Sequence, residues 1–270
     1  MPTYIVLGMH RSGTSAVAGM LDRLGVRMGP KTAGSGWIGR HWSNPMGHFE
    51  NPDLVWLNGR ILDYDGSGVH ESPSWAEIPQ RAQALAHDID RTLLATAGDL
   101  WGWKDPWSVL TIEEFLPRLH DPRFIFVFRD PVQVAQSLLR RDGTGLEESH
   151  RIAARFASQL KEIASRHTEI PRLELQFEEV MHHPAETVDR LAAFAGLHPS
   201  PEQRRAAEAL IVDEGSLRSL ARELAIRELA TYPKWLAWLL VRDLRLGRRS
   251  VTSLWRNASR ELIGAFRTVV

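Results

Sequence analysis

The chain has 270 residues, 43% of them hydrophobic and 24% charged, and its 33 Lys plus Arg balance 33 Asp plus Glu. This length buries a sizeable core as one large α/β domain or two small ones, and the composition excludes a disordered chain. Zero net charge argues against a bulk nucleic-acid binder but leaves room for a local anion pocket, and the absence of cysteine excludes disulfides, Cys-ligated zinc, iron–sulfur clusters and thiol catalysis.

The opening Met1-Pro2-Thr3-Tyr4-Ile5-Val6-Leu7-Gly8 has neither a basic stretch nor a small-residue cleavage site. No run reaches the ~18 apolar residues of a membrane span, so a cytoplasmic protein is expected. Tyr4 to Met9 reads as a buried strand, and Gly13 to Leu24 as a helix with Ala16, Val17, Met20, Leu21 and Leu24 at helical spacing. Residues 29–49, rich in Gly, Pro, Ser and Trp, read as a long loop of the kind that is usually functional or mobile. Pro52 to Leu62 and Pro79 to Ala97 read as helices, Leu100 to Lys104 as a short strand, and Ser108 to Leu119 as a helix.

Arg123 to Arg129 (Arg-Phe-Ile-Phe-Val-Phe-Arg) is the strongest strand signal, and Pro131 at a first helical position opens a helix through Leu139. Gly145 to His167 reads as a helix and Pro171 to Phe177 as a strand. Pro184 to Ala195 reads as a helix ended by Gly196. Alternating strands and helices predict an α/β fold, a parallel β-sheet flanked by helices. Residues 1–231 form the expected α/β domain. Residues 232–270 are expected to form a basic, Trp- and Leu-containing helical C-terminal extension, with eight Lys/Arg against Asp243 and Glu261. Trp and Leu beside clustered Arg suit either peripheral membrane contact or packing on the main domain, and the second is favoured.

Two motifs carry chemistry. Gly8-Met9-His10-Arg11-Ser12-Gly13-Thr14-Ser15 lies between a strand and a helix, where glycines let backbone N–H groups turn inward and the helix N-terminus adds positive potential. The spacing is that of a P-loop, but the Lys expected at the end is Thr14, and the fixed cation is Arg11 within the loop. A plain strand–turn–helix with a surface Arg is the alternative, disfavoured because strand, loop and helix all fall where an anion cradle needs them. In the second motif Arg129 ends a buried strand and Ser137, eight residues on, sits two turns into the next helix. The pair could converge on one anionic group, although Arg at a strand end is commonly a solvated cap.

Together the motifs resemble the sulfotransferases that use 3′-phosphoadenosine 5′-phosphosulfate (PAPS). That family has a 5′-phosphosulfate loop like Arg11-Ser12-Gly13-Thr14-Ser15 and a 3′-phosphate site like Arg129 with Ser137. Lys104-Asp105-Pro106 is similar to the K-D-P element of the tyrosylprotein and bacterial branches. Leu175-Gln176-Phe177-Glu178-Glu179-Val180, with Pro184 and Phe194-Ala195-Gly196-Leu197, is similar to the family's Y-E-D-L…P…F-L-G-L stretch. The resemblance runs from about residue 4 to 198 and departs at Trp107, where bacterial relatives often carry Arg. The R-K-G-x-x-G-D-W-K segment and the catalytic His of the small-molecule enzymes are absent.

The resemblance implies in-line transfer of a sulfuryl group from PAPS to an acceptor hydroxyl. His10, Arg11, Ser12, Gly13, Thr14, Ser15, Arg129 and Ser137 would hold the cosubstrate, and Arg11 and Lys104 would face the leaving phosphate oxygen. The base is taken to be Glu50 in Gly47-His48-Phe49-Glu50-Asn51, where related branches place a catalytic Glu. A helix-end Glu complementing the dipole is its alternative reading. His10, His41 and His48 are the fallback bases. Asp105, Glu178 and Glu179 read as structural, and His182-His183 as a loop before Pro184. No metal-ligand spacing is present, and none is required by this family. Trp37, Trp42, Trp56, Trp75 and Trp107 near the loop face lean towards a carbohydrate or lipid-linked glycan acceptor, though Trp is more often core. A P-loop kinase and a non-catalytic nucleotide-binding protein of the same fold are the rival readings.

Overall fold

The computed structural model describes residues 2–29, 44–63, 76–142, 145–213 and 215–227. The expectations for Trp37, His41, Trp42, Trp75 and residues 232–270 lie outside the described residues. Four parallel strands, β1 (Pro2–Leu7), β2 (Trp101–Lys104), β3 (Asp121–Phe128) and β4 (Arg172–Gln176), form one sheet in the order β2-β1-β3-β4. The α/β class and the parallel sheet flanked by helices follow the expectation.

Period-two alternation divides the core. Ile5, Leu7, Trp101, Trp103, Phe124 and Phe126 enter one buried cluster, whereas Tyr4, Val6, Ile125, Val127 and Leu175 enter the other. Both faces are covered, which is why β1 and the middle of β3 read as unbroken apolar runs. On the first face pack α2 (Pro52–Ile61), α3 (Glu77–Ala84), α4 (Ala86–Thr96), α5 (Ser108–Phe115), α6 (Pro131–Asp142) and α7 (Leu146–Arg166). On the second pack α1 (Thr14–Arg23) and α9 (Pro184–Ala195), with α10 (Pro201–Glu208) against them.

From β1 the chain leaves through α1 towards β2, and from β3 it leaves through α6 towards β4. The two adjacent strands therefore send their helices to opposite faces. That opens a crevice at their carboxyl ends, the usual ligand position in an open α/β sheet. The register keeps those ends level, with Val6 opposite Lys104, Leu7 opposite Phe126, and Phe128 opposite Gln176.

Three expectations need correction. The helix over Pro79–Ala97 is two helices bent at Leu85 (φ −102°, ψ 10°), which lets α3 and α4 both pack on α2. The helix over Ser108–Leu119 stops at Phe115 and tightens into a 3-10 turn over Leu116–Arg118, because Pro117 has no N–H to extend an α-helix. His182 is not in a loop: it ends α8 (Phe177–His182), which a capping box between Gln176 and Glu179 starts directly after β4. His183 is the junction between α8 and α9.

Candidate active site

The segment between β1 and α1 curls tightly. Arg11 (φ 67°) and Gly13 (φ 86°) both adopt the left-handed conformation. The Ser12 N–H and hydroxyl both donate to the Met9 carbonyl, at 3.2 and 2.6 Å. A Cβ at Gly8 would lie 2.8 Å from the Val127 carbonyl and 2.6 Å from the Thr14 side chain, so only glycine lets the loop pass so close to β3. Gly13 caps α1 without a side-chain hydrogen bond, and the first turn holds no acidic residue. The Ala16 and Val17 N–H groups donate to the Gly13 carbonyl, so the amides left to an outside acceptor are those of Thr14 and Ser15.

The second cluster meets this loop. Arg129, one residue past β3, donates from a terminal nitrogen to the Arg11 carbonyl at 2.6 Å and from Nε to Gln133 Oε1 at 3.3 Å. Its guanidinium lies 3.7 Å from the Phe177 ring centroid, a cation–π contact, and the same ring would touch a Cβ at Gly13 at 2.9 Å. Burial is the largest influence on Arg129 and lowers its pKa, while Glu178 raises it; the guanidinium stays charged. The Arg11 side chain donates from Nε to Ser137 Oγ at 3.1 Å. Arg11, Arg129 and Ser137 therefore form one cationic group at the carboxyl ends of β1 and β3.

On the other side of β1, Lys104 Nζ donates to Glu50 Oε1 in a nearly buried ion pair, the two side chains 2% and 12% exposed. Glu50 is held there by its neighbours. Phe49, at φ 53°, buries its ring against Gly19 of α1. Asn51 caps α2 by accepting from the Asp53 N–H at 3.0 Å, and its amide reaches Thr96 at 3.3 Å. Asp105 is buried, and its carboxyl is pushed up to about 7, first by desolvation and then by Glu50; the Asn58 hydrogen bond opposes this. Near the loop, His10 packs edge-on against Trp107 and Phe156, with centroids 5.3 and 6.2 Å away.

The sequence matches the sulfotransferase family over residues 2–201. The chain belongs to the sulfotransferase family. A solved structure shares its fold, and others are similar. The sulfotransferase STF1 of Mycobacterium tuberculosis H37Rv is 14% identical with a TM-score of 0.53, over 82% of this chain and 76% of that one. A sulfotransferase from Alicyclobacillus acidocaldarius is 15% identical, with a TM-score of 0.48 over 94% and 98% of the two chains. STF9 of Mycobacterium avium is 15% identical, with a TM-score of 0.48 over 82% and 75%. No functionally curated protein matches the chain in sequence.

In this sulfotransferase the strand ends bring Arg11, Ser12, Gly13, Thr14, Arg129 and Ser137 together, with the Glu50–Lys104 pair at the next strand. The Arg11 side chain bonds Ser137, and that of Lys104 bonds Glu50. Trp107 is 6% exposed and belongs to the core, and Trp56 is half-buried beneath Arg60. Neither offers an open platform for a sugar ring. Among the described residues no group of three or more metal-ligating side chains occurs, and no helix is long and apolar enough to cross a membrane. Sequence reasoning missed Asn58 and the role of Phe177. Asn58 was visible as the one polar residue on the buried stripe Leu54, Leu57, Asn58, Ile61, whose spacing is helical. Phe177 shows its contact with Arg129 only once β3 and β4 are paired.

Proposed function

We propose that the protein transfers a sulfuryl group from PAPS to an acceptor hydroxyl. The observation that carries this reading is the juxtaposition of the uncapped α1 N-terminus and the Arg11–Arg129–Ser137 group with the Glu50–Lys104 pair across β1. An anion cradle with two guanidinium groups suits a nucleotide bearing phosphates at both ends. On this reading the loop amides of residues 13–15 with the Thr14 and Ser15 hydroxyls, flanked by Ser12 and with His10 behind them, form a P-loop-like cradle for the 5′-phosphosulfate. Arg129 and Ser137 take the 3′-phosphate, and Arg11 spans the two.

In the reaction the bond from sulfur to the bridging phosphate oxygen breaks, and a bond from sulfur to the acceptor oxygen forms. The acceptor proton passes to Glu50, whose Oε1 is held by Lys104 and whose second oxygen would take it. Lys104, a buried cation at the end of β2, stabilises the charge growing on the leaving oxygen. For the acceptor we infer a carbohydrate or glycoconjugate hydroxyl, a reading that rests on Trp37, Trp42 and Trp75. Transfer of labelled sulfate from PAPS to a glycan panel tests the proposal. Labelled product from wild type and none from Glu50→Gln supports it; no PAPS consumption with any hydroxyl acceptor contradicts it.

A further inference from the structure

Asn58 is fully buried in α2, and every hydrogen-bonding group of its carboxamide is used. Its Nδ2 donates to Asp105 Oδ2 at 2.7 Å and to Ser108 Oγ at 3.1 Å, and its Oδ1 accepts from Thr111 Oγ1 at 2.6 Å. Ser108 also accepts from Trp103 Nε1 at 3.1 Å, and the second oxygen of Asp105 accepts from the Trp107 N–H at 3.1 Å. One side chain thus ties α2 to the end of β2 and to the first turns of α5.

Those are the two segments that carry the ion pair. Glu50 immediately precedes the α2 cap, and Lys104 immediately precedes Asp105. The far end of the same helix is pinned separately, through Asn51 to Thr96. A buried amide costs stability unless all its partners are in place, so a leucine would serve simple packing on this stripe better. The position instead holds a group that fixes distance and angle.

We propose that Asn58 is a positioning residue which, through Asp105, sets the geometry of the Glu50–Lys104 pair for proton transfer. The inference rests on the sulfuryl-transfer reading above. A shift of the order of 1 Å at reacting groups costs about 10²-fold in rate, so a device at this distance has room to act.

The test exchanges the two groups. Asn58→Asp alone sets two carboxyl groups against each other and removes the amide donor. In Asn58→Asp/Asp105→Asn the carboxyl and carboxamide change places, so a hydrogen bond between the two positions survives with the amide donor on the other side. PAPS turnover is followed as adenosine 3′,5′-bisphosphate formed with a glycan acceptor, and affinity for adenosine 3′,5′-bisphosphate is measured by calorimetry. Asn58→Asp is expected to lose about 10²-fold in kcat with nucleotide affinity unchanged, and the double variant to regain at least about tenfold. Should Asn58→Asp not fold, Thr111→Val removes the 2.6 Å bond that orients the carboxamide, together with a long 3.4 Å contact to the Trp107 carbonyl, and is expected to lower kcat roughly fivefold. Wild-type kcat in the single variants, or a double variant no faster than Asn58→Asp, overturns the proposal, as does a loss confined to nucleotide affinity. Wild-type protein that neither binds the bisphosphate nor consumes PAPS overturns the functional reading itself, and this inference with it.

Discussion

Glu50→Gln separates chemistry from binding more cleanly than any other single change. Glutamine keeps the shape and an acceptor oxygen for Lys104 Nζ, so the contact that orders the end of β2 persists. What disappears is the negative charge and the ability to take a proton. Lys104 is 2% exposed and loses its counter-ion, and breaking a buried pair costs about 3–5 kcal/mol when one partner is left charged. The retained hydrogen bond and the 12% exposure at position 50 reduce that figure, so a loss of about 1–3 kcal/mol is expected. For a domain of this size that lowers Tm by roughly 2–4 °C per kcal/mol, which leaves the variant folded at assay temperature. Removal of a general base costs ~10²–10⁴ in rate. Turnover at saturating PAPS should fall by that factor, while affinity for adenosine 3′,5′-bisphosphate stays put, because Arg11, Arg129 and Ser137 are untouched. Full turnover in Glu50→Gln, with loss in His48→Ala or His10→Ala, would refute the reasoning and move the base to a histidine.

Other outcomes follow from the same geometry. Arg129→Ala should weaken adenosine 3′,5′-bisphosphate binding roughly 10- to 100-fold, the range of a hydrogen bond to a charged group, with a smaller change in kcat; calorimetry beside rate measurements checks this. Arg11→Ala should lower both affinity and turnover, because its side chain meets Ser137 while its carbonyl receives Arg129. Gly13→Ala places a non-glycine residue at φ 86° and a methyl 2.9 Å from Phe177, costing about 1–2 kcal/mol from the backbone alone. Its Tm should drop, and its nucleotide affinity with it, since Phe177 carries Arg129. Asp105 holds its proton to about pH 7, above the usual carboxylate range, so the folded state binds more protons than the unfolded one in between. Its contribution to stability is full below that range and is lost as pH rises towards 7. Denaturant melts of wild type against Asp105→Asn between pH 4 and 8 should show wild type losing stability relative to the variant as pH rises, and parallel curves would contradict the assignment.

The fold was legible where local chemistry and tertiary demand agree. Arg123 to Arg129 announced a buried strand because both faces of β3 are covered, and Gly196 at φ 68° ends α9 as its sequence position implied. The loop from Gly8 to Ser15 was legible because part of what its glycines answer is local: Gly13 sits at φ 86°, and a Cβ at Gly8 would meet Thr14 and Ser12. What escaped depends on contacts distant in sequence. The bend at Leu85 follows from wrapping two helices on α2, and nothing in the Pro79–Ala97 pattern marks it. α10 starts at a capping box of Ser200 and Gln203 that is plain in the sequence once sought, yet its helix has few apolar residues to signal a face. The Arg11–Ser137 bond joins residues 126 apart and needs β1 and β3 side by side before either partner points to the other. Asn58 was hidden by its type, since an Asn within an apolar stripe states that a polar partner exists without naming it.

Nucleotide selectivity tests the central claim most directly. Calorimetric titration of the wild-type chain with adenosine 3′,5′-bisphosphate, adenosine 5′-phosphate and ATP isolates the 3′-phosphate. The account predicts that the bisphosphate binds at least about tenfold more tightly than the monophosphate, and more tightly than ATP, and that Arg129→Ala erases the first advantage. Equal affinity for the two adenosine phosphates, or preference for ATP, would contradict it.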